Sequence, residues 1–539
     1  MMALICRVAI LLATILPASA LAQVTPGGFG TRVNGSALGS CRAGTCLING
    51  GSRSGSNLFH RFSQFDTRGA ISDVTIDTHG KQNLIIGVTS QAGTLLNKPL
   101  RLGSPANLFW LSPGGIWLGS GTRLQNVNSL LLSTASGMRI GGRSFNLFAN
   151  SPWQANLPDD QPSFNFNAMN PEKVDRVGLS EFASSQSITL DGVEITVANN
   201  LLVDATGGDL LTRTGARTKL QAGHSVIISG HKLDLQGLTI TAGSPKGWGF
   251  IDVQSHPIGS EQGSIHVDRA MIKGQEIRMT SGSISISNSK LAAPKGLIQL
   301  QTTNTGGAPN HLNLFNSSLD VEPHSLEDIK APRTLRSSQP DIATSIPRPL
   351  IGLISSGSIN VRDSKLNASL DLAWLPGEQP LIDETMRHLS EVSGEIALIA
   401  GDGGIDVRSS HFTADASHNI AGNIQLKAND KDAFGGIKVA DSFISASYGV
   451  GQGCIFMNSN DGISIINSLL NSSSNRYPLI DQTGFYDDSP EKWTPYSFLG
   501  GYISLTNSSA LRPVEIEASQ LFSVKGTSKN KRIPVLLRT

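Results

Sequence analysis

The chain has 539 residues, a formal net charge of +1, and 16% charged against 39% hydrophobic residues. Charged content sits well below the roughly 25% of ordinary soluble domains, so the surface must be rich in Ser, Asn, Thr and Gly. With no net attraction to phosphate, no nucleic-acid partner is expected. Composition does not shift after about residue 180, which favours one elongated stack of repeats over several globular domains, because each repeat needs only its neighbours.

Residues 1–22 read as a secretory signal, with Arg7 as the positive region, Val8 to Leu16 as the apolar core, and Pro17, Ala18, Ala20 and Ala22 as the small-residue exit. Cleavage is expected after Ala22, leaving Gln23 first, with Ala20 as the second choice. The apolar run falls short of the roughly 20 residues a membrane span needs, and no later stretch supplies them. No transmembrane helix is therefore expected in the mature chain. Cys6 lies in the signal. Cys41 and Cys46 are close enough in sequence to form a disulfide in an oxidising compartment, and Cys454 reads as a buried small hydrophobe. Gln23 to about Gly51 is glycine-rich and suits a cap, because the open end of a stack exposes apolar surface and unpaired strands.

Two runs follow: Asn57-Leu58-Phe59-His60-Arg61-Phe62-Ser63-Gln64-Phe65, and Asn107-Leu108-Phe109-Trp110-Leu111-Ser112-Pro113-Gly114-Gly115-Ile116. Glycines and serines around Phe59, Phe62 and Phe65 favour strand and turn over a helix face. In the second run, proline presets φ and Gly114 accepts a positive φ, which predicts a type II turn between two short strands. Over about residues 24–150 these runs resemble the N-terminal secretion domain of filamentous-haemagglutinin-type exoproteins of Gram-negative two-partner secretion systems. Ser112 and Gly114 stand where that family has asparagines. The resemblance implies a secretion domain over 23–152 and export through the periplasm to the cell surface or medium. It also implies an outer-membrane β-barrel transporter with periplasmic domains as partner.

Residues 153–182 hold Pro158, Pro162 and Pro171 and read as an excursion, with a one-turn helix around Lys173 to Arg176 as an option. From 183 to 524 a motif recurs: Gly, any residue, Ile, any residue, Val/Ile/Leu, two mostly polar residues, Ser, then an apolar residue. It runs through Gly282–Leu291, Gly357–Leu366, Gly403–Phe412, Gly435–Phe443, Asp461–Leu469 and Val514–Leu521. Companion strands lie between the copies, as in Gly394–Ile399, Gly422–Leu426 and Gly501–Leu505. Steps of roughly 32 and 26 residues fall within the range of repeat architectures.

Residues two apart in a strand face the same way, so coiling the copies piles the isoleucines into inward columns. The expected fold is all-β: a right-handed parallel β-helix with an N-terminal cap and loop excursions, the hand following from parallel crossovers. A β-sandwich does not explain the recurring apolar-to-serine offset, and a propeller has longer aromatic-marked units. Excursions are expected at 322–350, 372–392 (with a short helix near Asp383 to Leu389) and 471–499, and a basic tail at 525–539.

Chemistry is sparse. Asp159 with Asp160, Asp402 with Asp406, and Asp487 with Asp488 and Glu491 are the carboxylate pairs a glycoside hydrolase would need, but adjacent acids in loops are usually solvated. Gly401 to Asp406 resembles a single calcium-binding nonapeptide, whereas such sites stack. No metal, cofactor or catalytic set is expected, and the chain reads as a surface-interaction protein or adhesin for an unknown receptor or glycan. The alternatives are a secreted carbohydrate-active β-helix enzyme, marked by two or three carboxylates with a cation on one parallel face, and an exported ligand scavenger.

Overall fold

The computed structural model describes residues 22–140, 143–150, 175–177 and 536–538, and between 187 and 522 all except 206, 214, 216, 244–248, 295, 304–309, 322–349, 370–393, 416–421, 430–434, 448–452, 473–501 and 509–513. The signal segment, most of 153–182, the body of the three later excursions, the pairs at 159–160 and 487–491, and most of the tail lie outside the described residues. Among the described residues there are strands and no helix.

Each coil contributes up to three strands, one to each of three parallel faces. The first face starts at Asn57–Asp66, Asn83–Val88 and Pro99–Leu111 and continues through Tyr502–Asn507 to Leu536–Arg538, a strand in the expected basic tail. The second begins at Thr94–Leu96 and Ile116–Gly119 and reaches Val514–Glu517. The third is an eleven-stranded sheet from Glu194–Val197 to Gln520–Phe522. The fold is a parallel β-helix.

Alternation places one set of side chains inside. On the first face Ile351, Ile396, Ile424, Ile455 and Ile503 stack in register. Ile359, Ile405, Ile437 and Ile463 do so on the second, and Leu366, Phe412, Ile444 and Leu470 on the third. All are buried within one continuous core, each contributing roughly 1.5–3 kcal/mol. The recurring motif therefore spans two faces: its Ile-x-Val is the second-face strand, and the residue two after its serine is the middle of a three-residue third-face strand.

That serine has a structural role that residue spacing alone does not reveal. At seven successive corners between the second and third faces one residue takes a left-handed φ: Asn288, Asn316, Asp363, Ser409, Asp441, Asn467 and Ala518, all between 45° and 51°. The next residue is a serine whose hydroxyl donates to the carbonyl two residues back, as Ser410 to Arg408 (2.7 Å) and Ser442 to Ala440 (2.7 Å). Its oxygen also accepts the backbone N–H of the serine one coil earlier: Ser364 N to Ser410 Oγ and Ser410 N to Ser442 Oγ, both 3.2 Å. The ladder runs from Ala270 N through Ser289, Ser317, Ser364, Ser410, Ser442 and Ser468 to Ser519.

At the N-terminus Val24–Gly28, Thr31–Val33 and Ser52–Ser54 pair antiparallel and close the end of the stack. Cys41 and Cys46 form a disulfide there, with Cα atoms 5.6 Å apart. The stack then passes without a break from the N-terminal unit into the body, Ile116 lying against Ile188 and Leu130 against Leu201. Residues 175–177 are a strand rather than the helical turn the sequence allowed. They pair antiparallel with Gly137–Ile140, itself hairpinned to Arg143–Asn146, so an open sheet edge claims their backbone groups.

Replacing Ser410 by Ala strands the buried N–H of Ser364, and the loss of stability expected in urea denaturation is about 1–3 kcal/mol. Ser464→Ala, on the outer side of a second-face strand, is expected to change it by less than about 0.5 kcal/mol. Equal effects would show that the ladder adds nothing.

Candidate functional site

The two Asn-Leu-Phe runs lie almost directly over one another on the first face, with a third, weaker copy between them. Asn57, Asn83 and Asn107 occupy one column, as do Leu58, Leu84 and Leu108, and Phe59, Ile85 and Phe109. Asn83 donates its amide to Asn57 Oδ1, and Asn107 donates to Asn83 Oδ1, each at 2.9 Å. The middle copy, Asn83-Leu84-Ile85-Ile86, carries isoleucine where the others carry an aromatic, so the motif is incomplete there. The column resumes further up, where Ser225 Oγ donates to Asn200 Oδ1 at 2.8 Å.

Alternation splits the apolar residues between two cores. Leu58, Phe62, Phe65, Leu108 and Trp110 point inward. Phe65 meets Trp110 edge-on at 4.7 Å and Phe62 at 5.1 Å, clasping the two runs together. Phe59 and Phe109 point outward into a second cluster with Ile85, Leu131, Leu202 and Ile227. Met138 and Phe145 of the hairpin and Leu147 beyond it cover that cluster. Arg61 seals its margin: the guanidinium lies 4.3 Å over Phe29, and donates to Gly27 O (2.8 Å) and Ala149 O (2.9 Å).

The turn at Ser112-Pro113-Gly114-Gly115 differs from the type II expectation. Gly115 N donates to Ser112 O at 2.9 Å, but the positive φ falls on Gly115 (103°) and not on Gly114. This is the type I pattern, with proline second and glycine last. Gly114 is needed for a different reason: a Cβ there would sit 2.3 Å from Ser90 O, because the Ser90–Gly93 turn packs directly against it. Ser112 is fully buried, its hydroxyl bonded to Gly115 O at 2.8 Å, and Ile116 is interior. Gln23, next to the expected cleavage site at Ala22, is already tied in: its carbonyl accepts Asp66 N at 3.0 Å and its amide donates to Gln64 at 2.6 Å.

His60 is fully buried. Its Nδ1 lies 3.2 Å from Thr31 Oγ1, while Nε2 has no hydrogen-bond partner. Burial, reinforced by His79 and opposed by Asp77, pulls its pKa down to about 4.

Of the candidate carboxylate pairs, Asp402 with Asp406 lies among the described residues. Asp406 is held by Arg408 at 2.9 Å and Arg362 at 3.4 Å, a ladder of exposed charges. A set that sequence reasoning missed lies on the outer side of the first face, where Asp252 sits beside Arg278 in register and Arg278 pairs with Glu276. Glu276 is fully buried, and burial lifts its pKa to about 7 against the pull of Arg278. A lone acid at a strand start carries no sequence signal of this kind. Among the described residues no group of three or more His, Cys, Asp or Glu is placed to hold a metal ion, and no helix is long and apolar enough to cross a membrane.

Neutral His60 must bind a proton in the unfolded chain before it does in the folded one, so its stabilising contribution is complete above about pH 6.5 and is lost as the pH falls towards 4. Glu276 titrates with the opposite sign. The difference between wild type and His60→Leu isolates the first effect: the gap in unfolding free energy is expected to shift by about 3 kcal/mol in favour of the variant between pH 7 and 4. A pH-independent gap would contradict the assignment.

No protein-family model matches this sequence, and no curated protein is similar to it. What the chain does is therefore carried by the residues and geometry above.

Proposed function

We propose that the chain is a secreted exoprotein of the two-partner type, exported by an outer-membrane β-barrel transporter and folding into a rod that serves adhesion or another surface interaction. The observation that carries this reading is the stacking of Asn57-Leu58-Phe59 and Asn107-Leu108-Phe109 in one ladder, beside a capped end that starts a long parallel stack. The motif and the starting coils are one unit.

Every aromatic side chain of the two runs is buried once folded. A transporter that recognises these side chains must meet them in an extended, unfolded chain. β-Augmentation suits that encounter: edge strands of the periplasmic domains supply main-chain hydrogen bonds while alternate side chains give specificity. Once outside, parallel non-local pairing, which is slow, proceeds from the coils already formed. The enzyme reading gains two acids and a cation on one parallel face, Asp252, Glu276 and Arg278, but Glu276 and Asp252 are buried, out of reach of a polymer.

Expression in a Gram-negative host with and without a two-partner transporter tests the proposal. Protein is expected at the surface or in the medium only when the transporter is present, and equal export without it would overturn the reading. Isolated periplasmic domains of the transporter are expected to retain urea-unfolded chain and to release it as it folds.

A further inference from the structure

We propose that the corner between the second and third faces is a binding groove for a linear anionic polysaccharide. This gives a ligand class to the surface role proposed above and rests on that reading for its biological setting. A groove of about 1090 Å³ runs along the stack from Arg217 to His411, and a second depression of about 520 Å³ continues it, sharing Ser409 and His411.

The serine hydroxyls in its floor are committed to the backbone, so the two banks face the ligand. On the third-face bank the outward residues of successive coils are Met271, Lys290, Ser318, Lys365, His411 and Phe443. Lys290 and Lys365 are exposed and make no ion pair among the described residues. One coil separates them, which puts them roughly 10 Å apart along the axis at about 4.8 Å per coil. That is roughly the length of a disaccharide. It matches one acidic group per repeat and not the far denser charge of a nucleic acid, about one per 1.7 Å of duplex.

Beyond Lys365 the polymer meets a flat surface. The His411 ring lies 4.4 Å from Phe443, their planes 30° apart. Burial and the neighbouring Lys365 lower the His411 pKa, so at neutral pH the platform is uncharged and offers an apolar face to a sugar ring. The opposite bank presents amides: Asn316 Nδ2 donates to Asn288 Oδ1 at 2.8 Å, which leaves the Asn316 carbonyl oxygen for a ligand hydroxyl. Asp363 on the same bank disfavours a dense polyanion.

The test uses the purified, folded mature chain, so failure here leaves the export reading standing. Size-defined chondroitin sulfate oligosaccharides are expected to bind, more weakly as salt rises. Lys290→Gln with Lys365→Gln is expected to reduce affinity by about tenfold or more. Phe443→Ala should also weaken it, while Lys427→Gln on the first face should not. Unchanged affinity in the double lysine variant, with its fold verified by circular dichroism, would overturn the proposal. So would equal binding of single-stranded DNA of the same charge, or of neutral dextran.

Discussion

A parallel stack has to turn corners, and at every corner the backbone must leave one hydrogen-bonded ladder and enter another without stranding a buried N–H. From Asn288 onward the solution between the second and third faces is a residue in the left-handed region followed by a serine. The left-handed residue sends its N–H forward, as Asn316 N to Arg362 O and Asp363 N to Arg408 O. The serine N–H finds the next serine's oxygen, and the following N–H points back, as Lys365 N to Ser317 O and His411 N to Ser364 O. Because an unpaired buried backbone group costs as much as a lost hydrogen bond, this corner fixes the register of both adjoining faces. The isoleucine columns supply most of the burial; the corner decides which isoleucine lies on which.

The N-terminal unit solves a different problem with related means. An asparagine ladder replaces the serine one, and the outer side of the sheet is apolar and covered instead of polar and wet. Two cores therefore sandwich the first-face strands there, one inside the stack and one beneath the hairpin. Further up, the outer column passes from Ile227 to Asp252 and Arg278, and the second core ends. A segment that is apolar on both sides holds its shape only when both covers are in place.

Much of this was legible in the residues. Period-two alternation and the recurring offset from Ile to Ser place the second-face strands and their companions, and the Asn-Leu-Phe runs stand out by themselves. The third face was not seen as a separate sheet, because a strand such as Lys365–Asn367 has one inward residue and offers no period to read. The middle Asn83-Leu84-Ile85 rung was hidden by its aliphatic side chain. The Pro113 turn departs from the type II expectation because Gly114 is required for space, which the neighbouring Ser90–Gly93 turn takes up, and not for its conformation. The pairing of Glu276 with Arg278 depends on burial, which sequence spacing does not encode.

Along the serine-bearing corners the spacing between the second and third faces is constant: Val361 to Leu366, Val407 to Phe412 and Ile465 to Leu470 are each five residues apart. The longest additions fall after the third-face strand, between Val321 and Leu350, between Ser369 and Glu395 and between Ser472 and Tyr502. All three long insertions are thus rooted on the same edge of a three-sided column. The molecule is consequently lopsided in what it can tolerate. The edge after the third face takes long added segments, while the edge bearing the serines keeps its length from coil to coil.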